Sequence, residues 1–120
     1  MEQELKVKGI AKYNGHNVKV NKSIDLGLKF TYDELKNYIK LIQLLNENVK
    51  IKVKIGSNET KMLGTFMIKE IKIDHDGEGV IKFNSMIDYA ELNEITSLIG
   101  IEQFKVLFSA NVTIDDEVGA

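Results

Sequence analysis

Leu5, Val7, Gly9, Ala11 and Tyr13 alternate with Lys6, Lys8 and Lys12, and a period of two marks a strand with one buried face. Asn14-Gly15 follows; both residues tolerate positive φ, so the pair predicts a two-residue hairpin turn. That turn pairs Ala11 with Val18, Gly9 with Val20 and Leu5 with Ile24, and the alternation runs on through Leu26, Leu28 and Phe30. Lys22, opposite Val7, is the one break on this face and predicts a bend at Asn21-Lys22-Ser23. Thr31-Tyr32-Asp33-Glu34 then reads as a capping box, in which Thr and Glu satisfy each other's backbone donors. Leu35, Tyr38, Ile39, Ile42 and Leu45 recur at helical spacing, the helix ends near 46–48, and VKIKVKI at 49–55 is a strictly alternating strand.

The second half runs the same course. A strand from about Met62 to Ile73 leads to a loop, and another spans about Val80 to Ile87. Asp88-Tyr89-Ala90-Glu91 is again a capping box, Leu92, Ile95, Leu98 and Ile99 form the helical stripe, and Phe104 to Ile114 alternate as a last strand. An offset of 57 residues aligns 24–55 with 81–112 without a gap, with seven identities that include Tyr32/Tyr89, Glu34/Glu91 and Ile42/Ile99. Strand parity, cap and stripe coincide across the offset. The expected fold is therefore α+β: a two-layer sandwich of two β-hairpin–α–β repeats about a pseudo-two-fold axis, with both helices on one face of a mixed sheet. One domain of 120 residues holds repeat one (about 4–55), a turn (56–61), repeat two (about 62–114) and a tail (115–120).

Asp74-His75-Asp76-Gly77-Glu78 has the look of part of a calcium loop. An EF-hand needs about twelve residues with ligands at fixed positions and a distal bidentate Glu, and this run is shorter and flanked by strands. A three-residue loop at 76–78 pairs Ile73 with Ile81 and Ile71 with Phe83, keeping apolar side chains on one face, so the turn is the expectation and no metal site is assigned. His16 and His75 are expected at equivalent hairpin tips. No phosphate loop, nucleophile elbow or paired-histidine spacing occurs, and the cap positions account for Glu34 and Glu91. No catalytic residues, no cofactor and no small-molecule substrate are assigned, and the expectation is a protein that is not an enzyme.

Cysteine, tryptophan, proline and arginine are absent; all sixteen basic side chains are lysine. The lack of cysteine excludes a disulfide framework and zinc-thiolate chemistry. The lack of arginine removes the residue best suited to bidentate recognition of phosphate or guanine. Apolar runs are too short to cross a bilayer, so no membrane partner is expected. The acidic, strand-like opening MEQELKVKG does not read as a signal peptide, and together with the absence of cysteine it points to a cytoplasmic location. The net charge of −2 conceals an asymmetry: residues 1–61 carry +5 and residues 62–120 carry −7. Such a dipole attracts an acidic partner at one end or a second copy head to tail.

Strand parity also sorts the outer face of the sheet. Its first half carries Lys6, Lys8, Lys12, Lys19, Lys29, Lys50, Lys52 and Lys54; its second half carries Phe66, Ile68, Val80, Met86 and Leu107, with Lys72, Lys82 and Lys105 among them. An exposed apolar patch of that size marks a protein-binding surface, so Phe66, Ile68, Val80, Met86 and Leu107 are the expected docking residues for a protein partner or a homodimer. A bulge around Gly64–Glu70 would instead turn Phe66 and Ile68 inward. Lys6, Lys8, Lys12, Lys19, Lys50, Lys52 and Lys54 could follow a nucleic-acid backbone. No aromatic residue shares their face to stack bases, and the plainer reading is a lysine coat that keeps the sheet soluble and its edges unpaired.

The stretches YNGHNVKV, LGTFMIKEIKIDHDGEGVIKF and FKVLFSANVTIDDE resemble small accessory proteins of phages and prophages from AT-rich Gram-positive bacteria. That resemblance implies a non-enzymatic protein acting in the host cytoplasm on a host or phage component, and it assigns no residue a role. The expected function is an inhibitor or adaptor that binds a protein. The alternatives are a nucleic-acid-binding accessory protein using the lysine face and a structural virion component that assembles head to tail.

Overall fold

The period-two alternation of the chain is realised as a closed barrel. The structure, a computed structural model, describes residues 2–113, with side chains from residue 3 to residue 111. Strands β1 (Glu2–Val18), β2 (Ser23–Phe30), β3 (Asn48–Lys54), β4 (Lys61–Ile73), β5 (Gly79–Met86) and β6 (Phe104–Thr113) close in the order β1-β2-β5-β4-β3-β6. All six strand pairings are antiparallel. The chain is mostly strand with a few short helical pieces. The open mixed sheet with helices on one face is corrected: β2 does not pair with β3, nor β5 with β6, so neither crossover joins parallel neighbours. Closure comes from strands that serve two partners. Residues 2–11 of β1 pair with β6 and residues 12–18 with β2, while β3 lies between β4 and β6. A sheet closed in this way has no edges.

The alternating apolar positions point into the barrel. One cluster joins Val7, Ala11, Leu26, Leu28, Ile51, Val53, Ile81, Val106 and Phe108 from five of the strands. Phe83 stacks on Phe108 with centroids 5.7 Å apart, and Phe66 meets Phe83 edge-on. Phe66 and Ile68 are fully buried here. A register shift between Ile68 and Glu70 against β5, and another opposite Gly64 against β3, let β4 change parity.

Both hairpin registers differ from expectation. Asn14-Gly15 is a bulge inside β1, two residues facing Gly27 alone between the pairs Tyr13–Leu28 and His16–Leu26. The reversal lies at Lys19–Lys22, where Lys22 adopts φ 62° and its N–H donates to the Lys19 carbonyl at 2.9 Å. The residue that broke the apolar face is thus part of the turn itself. The longer β1 leaves residues 2–11 free to pair with β6. In the second hairpin Ile73 faces Gly79 and Ile71 faces Ile81, so the loop is His75-Asp76-Gly77. The Asp74 N–H donates to the Glu78 carbonyl at 2.7 Å and the Gly77 N–H to the Asp74 carbonyl at 3.0 Å, with Gly77 at φ 84°. His16 therefore lies within β1 and only His75 is at a tip.

Each expected helix is shorter and partly 3-10. The first crossover is a 3-10 turn at Tyr32–Glu34, α1 (Leu35–Tyr38) and a 3-10 segment at Ile39–Leu44. Residues three apart stack in a 3-10 helix, so Tyr38, Leu41 and Leu44 are buried while Ile39 and Ile42 are each 47% exposed. The second crossover is a 3-10 turn at Ile87–Tyr89 and α2 (Leu92–Thr96), burying Ile95 and Leu98 and exposing Ile99. Neither capping box forms. The Glu34 carboxylate accepts from the Ile10 N–H of β1 and from Asn37 instead. At the second crossover Ala90 bridges Gly64, whose φ of 131° only glycine adopts readily. Ile114 and the tail at 115–120 lie outside the described residues.

Candidate functional site

Outward residues of β1, β6 and β3 share one wall of the barrel, and the register fixes their neighbours. Lys6 and Lys50 flank Ser109, Lys8 and Lys52 flank Leu107, and Ile10 and Lys54 flank Lys105. Strands lie about 4.8 Å apart and alternate residues about 6.7 Å apart. The lysines therefore stand on a grid about 7 Å by 10 Å, close to one Debye length at physiological salt. Their fields add rather than acting singly. The row continues around the barrel, where Lys12 faces Lys29 directly and Lys29 faces Val80, itself opposite Lys72.

Three carboxylates among the described residues border the wall: Glu34 beside Lys8, Lys52, Lys54 and Lys105 at its Ile10 end, and Glu4 and Glu47 beside Lys50 and Lys52. Lys6 meets Glu4 at 3.3 Å. Among the described residues no ion pair reaches Lys8, Lys12, Lys29, Lys50, Lys52, Lys54 or Lys105. Lys54 faces Lys105 and Lys12 faces Lys29 across adjacent strands, and like charges placed so destabilise a sheet. Six of the seven lysines singled out from sequence belong to this wall and its continuation. The seventh, Lys19, lies in the β1–β2 turn and is paired with Asp25 at 2.8 Å. Lys29 and Lys105 join the array; their lysine partners became visible only once the cross-strand register was known.

The apolar patch does not assemble. Phe66 and Ile68 are in the core, as the bulge alternative implied. Val80 and Met86 lie at opposite ends of β5, about 20 Å apart at strand rise. Leu107 is on β6, which does not neighbour β5, and is partly buried between Lys8 and Lys52. Of the five, Met86 alone is largely exposed. Exposed apolar side chains gather on the crossovers, Tyr32, Ile39, Ile42 and Leu45 on the first and Tyr89 and Ile99 on the second, and at the β1–β2 reversal, where Val18 and Val20 are exposed. Ile39, Ile42, Leu45 and Ile99 are the members of the expected helical stripes that the structure exposes, whereas Tyr32 and Tyr89 belong to the cap segments.

Other chemistry is sparse. Asp74, Asp76 and Glu78 each bring one carboxylate oxygen within 4.8 Å of the others, all exposed; calcium normally takes six or more oxygens. Burial pushes the Asp25 carboxyl up, but its bonds to Lys19 and to Asn84, the latter at 2.8 Å, outweigh this and hold it below the usual carboxylate range. The Tyr38 hydroxyl is buried with no hydrogen-bond partner, and burial followed by the nearby Glu34 charge raises its pKa well above that of a free tyrosine. No described helix is long and apolar enough to cross a membrane. No family model matches the chain, and neither the curated proteins nor the solved structures compared with it give a match.

Proposed function

We propose that the protein is a non-catalytic binding module whose lysine wall lies along a nucleic-acid backbone. The observation that carries this is the pair of directly opposed lysines, Lys12–Lys29 and Lys54–Lys105, in a wall whose other lysines are also largely unpaired. Edge protection does not account for them, because a closed barrel has no edge to protect. Solubility alone is served as well by interspersed Glu and Lys, without the repulsion. A polyanion relieves that repulsion and releases its own counterions on binding. Without arginine or an aromatic stacking platform on the wall, recognition there is of the backbone and independent of sequence.

Fluorescence anisotropy with labelled single- and double-stranded oligonucleotides tests this. Five neutralised phosphates on a single strand give a log–log salt slope of about −3.5, so affinity falls roughly 100-fold between 50 and 200 mM salt. Lys50→Glu with Lys52→Glu is expected to abolish that binding while leaving the fold intact. Absence of binding at low salt, or binding untouched by the double reversal, overturns the proposal.

A second reading, an inhibitor or adaptor for a protein, is favoured by one observation. Ile39, Ile42 and Leu45 are exposed together along one short crossover. On this reading Ile39→Asp with Ile42→Asp removes partner binding or dimerisation, and the lysine reversals do not. The two-repeat organisation is likewise a proposal. Its support is that exchanging β1, β2 and β3 for β4, β5 and β6 maps the cyclic strand order onto itself.

A further inference from the structure

Beside the lysine row the barrel wall has a hollow of about 600 Å³, within the size range of small-ligand sites. Its floor is Gly27, which has no side chain, and its rim is the Asn14-Gly15 bulge of β1. A Cβ placed on Gly27 would lie 3.2–3.4 Å from the Asn14 carbonyl oxygen and side chain, so the Asn14 amide stands directly over the floor. Asn17 and Asn84 add two more amides to a lining that also includes His16, Lys69 and Val80. Asn84 spends one N–H on Asp25 at 2.8 Å, which fixes its plane and leaves its carbonyl oxygen free. Among the described residues the side-chain amides of Asn14 and Asn17 bond to nothing.

The charge of the hollow differs from that of the row next to it. Of the three lysines that line it, Lys19 is paired with Asp25 at 2.8 Å and Lys82 with Glu70 at 3.4 Å, and Lys69 alone has no carboxylate partner among the described residues; on the row, Lys12 and Lys29, two residues along from Asn14 and Gly27 on the same strands, are both unpaired and face each other. A phosphate has more to gain on the row than in the hollow. The hollow suits a neutral, flat group with alternating donors and acceptors at its edge, for which planar side-chain amides are the matching partners.

We propose that this hollow takes the edge of a nucleobase turned out from a strand whose phosphates follow Lys12 and Lys29. The inference rests on the nucleic-acid reading above and adds a base-contacting site to it. The test has two arms. In the first, the ¹⁵N-labelled protein is titrated with phosphate-free nucleosides (adenosine, guanosine, cytidine, uridine) and with glucose as a control. Backbone amide shifts at Gly27 and Asn84 and side-chain amide shifts at Asn14 and Asn17 are expected with at least one nucleoside and not with glucose. Asn14→Ala with Asn17→Ala, which alters only polar groups at the rim, is expected to erase them without disturbing the rest of the spectrum. In the second arm, a single-stranded oligonucleotide is compared with an abasic strand of the same length and is expected to bind roughly tenfold or more tightly, the usual worth of one base-edge contact. Silence with every nucleoside, shifts with glucose as well, or equal affinity for intact and abasic strands overturns the base site. Equal affinity that still depends on Lys50 and Lys52 overturns the base site alone and leaves the backbone reading standing. Nucleoside shifts in a protein that binds no oligonucleotide support the hollow and overturn the lysine wall.

Discussion

Removing the Tyr38 hydroxyl should make the protein more stable. Tyr38 is fully buried, its ring 4.7 Å from Phe30 and 6.0 Å from Phe108 by centroid, and its oxygen rests against Gly9 with no partner. A buried hydroxyl without a hydrogen bond costs about 1–3 kcal/mol of stability. Tyr38→Phe removes that cost and loses only the few contacts the oxygen makes. A net gain of about 1 kcal/mol is expected, which for a chain of this length raises Tm by about 4 °C. The pH dependence supplies a second, independent readout. Burial first and the Glu34 charge second raise the folded pKa above the ordinary value of 10.0. The unfolded chain therefore releases this proton first, and stability that is complete below pH 10 is lost as pH rises above it, by about 1.4 kcal/mol per unit. Tyr38→Phe lacks this loss, so its advantage over the parent should be about 1.4 kcal/mol larger at pH 11 than at pH 8. Urea denaturation at several pH values measures both effects. A variant that is no more stable, or an advantage constant from pH 8 to pH 11, would show that the hydroxyl is solvated or bonded and would refute the reasoning.

Other substitutions follow from the same geometry. Gly64→Ala combines φ 131° with a Cβ 2.3 Å from the Tyr89 carbonyl oxygen; a loss of about 3 kcal/mol or more is expected in chemical denaturation, and a neutral result would contradict the β4–crossover contact. Phe66→Ala should cost about 3–5 kcal/mol as a core cavity, while Met86→Asp on the surface should stay within about 0.5 kcal/mol; similar costs for the two would restore the outer patch. Asp25 has a folded pKa below its unfolded value, so the stability it contributes is present above about pH 4 and lost as pH falls. Asp25→Asn should flatten the acid limb of the stability curve slightly, the pair with Lys19 being substantially exposed.

The sequence patterns were legible where one periodicity decides and illegible where two structures share it. Val7, Ala11, Leu26, Leu28, Ile51 and Val53 were correctly read as one buried face, and the lysines between them as the other. A closed barrel has the same alternation as a half-buried open sheet, so nothing in these strands announced closure. Closure was written instead in the length of β1, hidden because Asn14-Gly15 serves a bulge as readily as a turn. Tyr38, Leu41 and Leu44 fit spacing three, but Ile39 and Ile42 made spacing three-and-four look equally good. Glu34 sits where a capping box needs it, and only the fold brings Ile10 within its reach. Of the candidate site, outward parity placed the lysines correctly. The opposed pairs and the Gly27 hollow depend on cross-strand register, which the chain does not display.

The central claim is that the wall formed by β1, β6 and β3 is a nucleic-acid surface. Its most direct test is a chemical-shift map of the labelled protein titrated with a short single-stranded oligonucleotide at low salt. The account predicts perturbations centred on Lys8, Lys52, Lys105 and Leu107 that vanish as salt rises. Perturbations centred on Ile39, Ile42 and Leu45, or none at all, would contradict it.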